Sequence, residues 1–480
     1  MGLPTGPHGV KELVKTRCLN CWNEFGSLKA ARVAYGREAH ETVVILDGNV
    51  LVRQVPVAAA TFEEYTTIFH RFLTQALDTA DVVVVVFDEP LKMTKAKAEE
   101  QARRDLQSKK SAPIMSTDLE DALSPQTDDY DFEVAMRANP HDILRSRKAR
   151  PRMFDCICKH SMKQLIDSEK YNNKILVFDG IDPRGASRAH GDAREATMYS
   201  NSELAETLLS RPDDAPVVAE GDLKLTDIES EIQYLRDSGT FFVSVNLVLV
   251  CTIDTDSIAI ELMHQSSKNE QLASRGELEE SVKTVLCFRE VTRKRKDDDE
   301  NSKHAPASFA CFDMDLLHKS IVSMLGAPPG YHRHASALLA SAWALCGSDF
   351  VHLKGMRSDM AFEAVAELCK SEEAIQLLSY MEASWQLKRD TPPLTVKKVR
   401  LEMLHPISHV VEKTALRLSK TPRMGRSVKS IKEVTDCEET TKNILLRAAW
   451  IAVYWSGLQC PNAELCEWGF INGGPVHYAN

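Results

Sequence analysis

The chain has no excess of positive charge and no long apolar run. Its 59 Lys and Arg are outnumbered by 69 Asp and Glu, for a formal net charge of −10 and a pI near 5.9. That excludes a uniformly basic coat for nucleic acid and leaves room only for a local basic strip. The longest apolar stretches are too short to span a bilayer, and no secretory signal pattern opens the sequence. The start, "MGLPTG", lacks the Ser or Thr at position 6 that a myristoylation signal needs. Twelve cysteines lie scattered along 480 residues instead of framing a small disulfide scaffold, which favours a reducing compartment. No internal repeat is present. The expectation is a soluble intracellular protein of nucleus or cytoplasm, not secreted and with no membrane partner. A hydrophobic fraction of 43% is ample for a buried core, in two or three domains or one α/β core with large insertions.

Four short apolar runs stand out: 41–51 ("ETVVILDGNVL"), 81–90 ("DVVVVVFDEP"), 173–183 ("NKILVFDGIDP") and 246–256 ("NLVLVCTIDTD"). They read as buried strands of a largely parallel sheet. Helical patterns lie between them at 61–79, 92–107 and 221–238. Strand alternating with helix implies an α/β sheet with helices on both faces and a ligand site beyond the carboxyl ends of the strands. Each of the four runs ends in an aspartate. Three stretches read as insertions or loops, 108–150, 184–216 and the charged run 293–308; after 309 the pattern turns helical.

The acids at strand ends and helix starts form a set: Asp47, Asp88, Glu220, Asp222, Asp254, Asp256 and Asp349. Any one of them alone reads as a turn residue or helix cap. Asp254 and Asp256, two apart in an extended chain, are expected to project to one face. Seven converging carboxylates repel unless cations neutralise them, and all-oxygen donors select Mg²⁺ or Mn²⁺. No His or Cys occupies these motifs, so a zinc hydrolase fits poorly. Cys18 and Cys21, with Cys156, Cys158 and His160, supply enough zinc-type ligands, but nothing in their spacing brings them together.

With these motifs in their order, the chain resembles the 5′-nuclease superfamily. That group holds the flap endonuclease/XPG nucleases and the XRN 5′→3′ exoribonucleases on a PIN-like fold. "MGLPTGPHGVKELV" resembles the family's Met-Gly start, "VILDGN" its first aspartate motif, and "VFDEPLKMTKAKAEEQARR" its aspartate followed by a basic helix. "AEGDLKLTDIE" is similar to the Glu-Gly-Glu-x-Lys motif of the XRN branch, with Asp222 where a glutamate is usual. "CTIDTDSIAI" matches the paired aspartates, and "LCGSDF" the last aspartate in the flap-nuclease spelling. The resemblance covers roughly 1–100 and 173–370. It implies that the seven acids hold two Mg²⁺, with Mn²⁺ able to replace them.

It also implies a PIN-like α/β fold with a mostly parallel sheet and a helical C-terminal region. The implied units are an N-terminal nuclease region 1–107, an arch-like insertion 108–172 and an internal nuclease region 173–290. A charged loop 291–308, a helical region 309–395 and a helical tail 396–480 follow. Lys92, Lys95, Lys97, Arg103 and Arg104 form a cationic strip. By the resemblance Lys95 and Arg103 hold the scissile phosphate, although Arg103 stands one residue off the family's arginine. Flap nucleases follow the last aspartate with a Gly-hydrophobic-Gly hairpin that grips duplex DNA and a potassium ion. Here Gly355 is kept but Met356 and Arg357 finish the turn, which leaves Lys354 and Arg357 as its nucleic-acid contacts. The aromatic tail resembles that of the XRN proteins, or reads as a core helix.

The resulting expectation is a metal-dependent 5′ nuclease acting on 5′ ends or flaps, of DNA rather than RNA. An XRN-like exoribonuclease is the nearest alternative. A non-catalytic nucleic-acid-binding or scaffold protein on the same fold is the alternative of another class.

Overall fold

Two valine-rich runs form the middle of the molecule. A computed structural model describes residues 9–36, 41–54, 62–87, 244–275, 282–290, 308–348, 350–386, 393–422, 424–456 and 465–470, with Leu3 and scattered positions from 154 to 236. The strands are Trp22–Phe25 (β1), Glu41–Asp47 (β2), Val82–Val86 (β3), Ile175–Asp179 (β4), Met198–Tyr199 (β5), Val245–Thr252 (β6), Lys283–Glu290 (β7) and Ser308–Asp313 (β8). Among the described residues they form one sheet in the order β1-β8-β7-β6-β2-β3-β4-β5. The five central strands β7, β6, β2, β3 and β4 run parallel, and β1, β5 and β8 pair antiparallel. The protein is therefore α/β, with a mostly parallel mixed sheet.

Burial on both faces explains the unbroken apolar runs. Val44, Leu46, Val83 and Val85 face one core, where Tyr65, Phe69 and Leu73 of the Phe62–Leu77 helix cover them. Val43, Ile45, Val82 and Val84 face the other, under Ile258, Leu262 and Met263 of the Asp256–Arg275 helix. The pairing of β2 with β6 shifts register between Glu41 and Thr42, whose partners are Val245 and Leu247. The extra residue, Asn246, is a bulge that lets Val245 and Val248 reach the same core.

The chain leaves β2 towards β3 on one side, whereas β6 leads through the Asp256–Arg275 helix to β7 on the other. The carboxyl ends of β2 and β6 thus flank a topological switch point, where open α/β sheets form their ligand crevice.

Four of the expected strands are present, with tighter limits. The 246–256 run stops as a strand at Thr252, and the 41–51 run gives way to helix at Gly48. The region after 309 opens with β8 and not with helix. β5 falls inside the expected insertion 184–216; the insertion 108–150, the helix 92–107 and the charged run lie almost wholly outside the described residues. Strands from 1–107, 173–290 and 309–395 all enter one sheet.

Helices from Met314–Leu325 to Glu438–Trp455 enlarge the core on the Ile45 side. The His332–Leu345 helix is buried almost all round. The aromatic tail is core: the Trp450 ring lies 4.6 Å from Tyr454, 5.2 Å from Phe350 and 5.3 Å from Phe470. No described helix is long and apolar enough to cross a membrane.

Ile45 stands in the central strand with no exposure. Ile45→Ala is expected to lower stability by about 3 kcal/mol through lost burial and a residual cavity, measured as a shift in denaturant midpoint at unchanged slope.

Candidate metal centre

Asp47 ends β2, where the parallel register sets it beside the end of β6. One of its oxygens accepts the Val50 N–H at 3.1 Å and so starts the Gly48–Gln54 helix. The other accepts the Thr252 hydroxyl at 3.2 Å, across 205 residues of sequence. The same Thr252 oxygen accepts the Asp254 N–H at 3.0 Å. Asp254 Oδ1 in turn accepts the Asp256 N–H at 3.3 Å, and the Asp256–Arg275 helix begins there. Each carboxylate is thus held by a donor from its neighbour, which offsets part of the repulsion of like charges.

This corrects the strand argument for the two aspartates. They lie beyond β6, in a turn and at a first helical residue, and the link between them is an Asx-type hydrogen bond, not strand alternation. Asp256 is buried and accepts the Leu3 N–H, while the Thr255 hydroxyl donates to the Leu3 carbonyl at 2.7 Å. Both backbone groups of the buried Leu3 are thereby tied to the turn.

Three of the seven expected ligands, Asp47, Asp254 and Asp256, are described. Asp88, Glu220, Asp222 and Asp349 lie outside the described residues, as do Lys92, Lys95, Lys97, Arg103 and Arg104. Among the described residues no three His, Cys, Asp or Glu gather as a metal site. The oxygen-only donors at the ends of β2 and β6 nevertheless suit a hard cation such as Mg²⁺. Asp88 follows β3 by two residues, and β3 is the other neighbour of β2.

The described residues on either side of position 349 are tied to one another. Gly347 adopts φ 141°, which favours glycine, and the buried Ser348 hydroxyl accepts the amides of Phe350 and Val351 at 3.3 and 3.2 Å. Beyond it, Gly355 has φ 100°, and a Cβ there would stand 2.5 Å from the Ser427 carbonyl oxygen. The Met356 N–H is spent on the Leu353 carbonyl at 3.0 Å. Arg357 is engaged by Asp359 at 2.8 Å and lies against the Met424 sulfur, while Lys354 is exposed. The hairpin's inner side is thus packed on the Gly425–Thr435 helix.

Cys156 lies outside the described residues, and Cys18 and Cys21 do not meet Cys158. Cys18 and Cys21 sit in the Ile45-side core and Cys158 in the opposite one, with the sheet between them. Burial pushes the Cys18 thiol up to about 11 and raises Cys21 as well, favouring thiols over thiolate ligands. His160 is engaged by Gln164 at 2.7 Å.

Thr252 escaped the sequence reading, although a hydroxyl two residues before an aspartate is a recognised local turn signal. No family model matches the chain, and no curated protein matches it.

Thr252→Val removes both bonds while keeping the shape. It is expected to raise the Mg²⁺ concentration for half-saturation about tenfold, with Thr252→Ser near wild type, measured by titration calorimetry. Gly355→Ala is expected to destabilise the chain by more than about 1 kcal/mol, measured by thermal unfolding.

Proposed function

We propose that the chain is a divalent-metal-dependent 5′ nuclease on a PIN-like fold, hydrolysing phosphodiester bonds at 5′ ends or flaps. The observation that carries this reading is the meeting of Asp47 with the Thr252–Asp254–Asp256 turn at the switch point of the sheet. Asp47, Asp254 and Asp256, joined by Asp88, Glu220, Asp222 and Asp349, would hold two Mg²⁺. Bound there, the cations supply an acidified water and neutralise charge on the phosphate. Thr252 keeps the Asp47 carboxylate turned towards Asp254. Lys95 and Arg103 add positive charge at the phosphate and read no base. A chain of net charge −10 needs such a strip to draw in a polyanion.

The packed hairpin favours a particular substrate form. With Gly355 against Ser427 and Arg357 held by Asp359, this turn offers few donors to a duplex backbone. That supports action on a free single-stranded 5′ end, the XRN-like reading, over nicking of continuous duplex.

The test uses 5′- and 3′-labelled single strands, flaps and duplexes, as DNA and as RNA, with Mg²⁺ or EDTA. Mg²⁺-dependent release from single-stranded 5′ ends is expected, with EDTA abolishing it. Binding without cleavage would replace the nuclease by the non-catalytic scaffold. Asp256→Asn keeps an acceptor for Leu3 but removes a charge, so folding should persist while cleavage falls by about a hundredfold or more. Wild-type rates in that variant would remove Asp256 from the centre.

A further inference from the structure

Behind the candidate centre lies a second group of acids. Glu229 and Glu261 are each 2% exposed, and their carboxyl groups lie close enough to interact electrostatically. Glu261 stands on the Asp256–Arg275 helix, five residues beyond Asp256. Glu229, with Ile232 and Arg236, belongs to a helical segment that follows Asp222 by seven residues. Around the pair, Lys268 Nζ lies 3.5 Å from Glu229 and donates to the Val282 carbonyl at 2.7 Å. His264 Nε2 is 3.5 Å from Glu229, and the Thr284 hydroxyl of β7 donates to the same carboxylate. Apart from the Lys268–Val282 bond, these contacts go to Glu229 Oε1, and none of them reaches Glu261. Among the described residues the Oε2 atoms of Glu229 and Glu261 both lack a hydrogen-bond partner.

Two touching carboxylates in a dry interior cannot both be ionised. Lys268, His264 and Thr284 choose which one keeps its charge. We propose that Glu261 is the protonated donor to an ionised Glu229, and that this acid pair is a positioning device that fixes the segment after Glu220 and Asp222 against the helix begun by Asp256. The positioning claim rests on the nuclease reading; the shared proton does not. Burial opposes the Glu229 charge, but His264, Lys268 and Thr284 outweigh it and hold its carboxyl below the usual range. Burial first, then the Glu229 charge, pushes Glu261 well above that range.

The pH dependence follows in sign. Glu261 takes up a proton on folding, so its stabilising contribution is fully present below the ordinary carboxylate value of 4.5. It is lost as pH rises towards the folded value. Glu229 acts oppositely, contributing above the ordinary value and losing its contribution as pH falls. The groups facing Glu261 are Glu229 from the adjoining segment and Lys268 from its own helix; His264 and Thr284 on β7 face Glu229. On the His332–Leu345 helix, Arg333 faces Glu270 at 3.7 Å, farther along.

The experiment compares the full wild-type chain with Glu261→Gln, Glu261→Ala and Glu229→Gln. Infrared spectra at pH 7 are expected to show a protonated carboxylic acid band in the wild type that Glu261→Gln removes. Glu261→Gln, a neutral donor of similar shape, should match wild-type stability in acid and exceed it increasingly as pH rises. Its Mg²⁺ half-saturation by calorimetry should stay within twofold. Glu229→Gln should raise that concentration tenfold or more. Absence of the band, or a Glu261→Gln chain as unstable as Glu261→Ala, overturns the shared proton. A Glu229→Gln chain less stable but with unchanged Mg²⁺ affinity overturns the positioning role. A wild type that binds no Mg²⁺ overturns the nuclease reading and the positioning role together, while the band still decides the proton.

Discussion

The parallel pairing of β2 with β6 is the constraint on which the rest depends. These strands lie about two hundred residues apart in sequence, and closing so long a loop carries an entropic penalty that grows only with its logarithm. Burial on both faces repays it, since Val43, Val44, Ile45, Leu247, Val248 and Leu249 are fully enclosed. Once the two strands are side by side, their connections must leave in opposite directions. Asp47 and the turn at Asp254 then stand side by side at the switch point. The Thr252 hydroxyl bridges the two strand ends there.

Acid placed beside acid recurs in this protein, and it is resolved in two ways. At the strand ends the carboxylates are half-buried or helix-capping, spread over a turn, and supplied with amide and hydroxyl donors. Glu229 and Glu261 sit in the interior with Lys268 against Glu229, and a proton takes the place of a cation. The two solutions lie on one helix, with Asp256 at its start and Glu261 just over one turn later. Electrostatic demands at the rim and in the interior therefore act on the same rigid element.

Much of the sheet was legible because its central strands are buried on both faces and need no alternation. β2, β3, β4 and β6 announce themselves as Val-, Ile- and Leu-rich runs. The antiparallel margin was not legible. β1 ("WNEF") has two exposed central residues, and β7 and β8 carry polar ends around short apolar centres. Strand ends were overrun because hydrophobicity does not reveal where a hydroxyl or carboxylate captures the next amide, as Thr252 and Asp254 do. The inner acid pair was hidden for a different reason. Glu261, Gln265 and Lys268 recur at i, i+4 and i+7, a stripe that ordinarily faces water. Only the neighbouring segment with Glu229, and Thr284 on β7, turn that stripe into an interior.

The C-terminal helices are part of the site's construction. Residues 396–480 supply Ile407, Ile431, Trp450 and Trp455 to the core that β2 and β6 face. Phe350, next to Asp349, is packed edge-on against Trp450 and Tyr454. Gly355, a few residues on, rests on the Ser427 backbone. The described residues flanking 349 are therefore held by the tail, through Phe350 and Gly355, and by the Ser348 hydroxyl. A hairpin locked in this way cannot open to wrap a duplex without tearing core contacts.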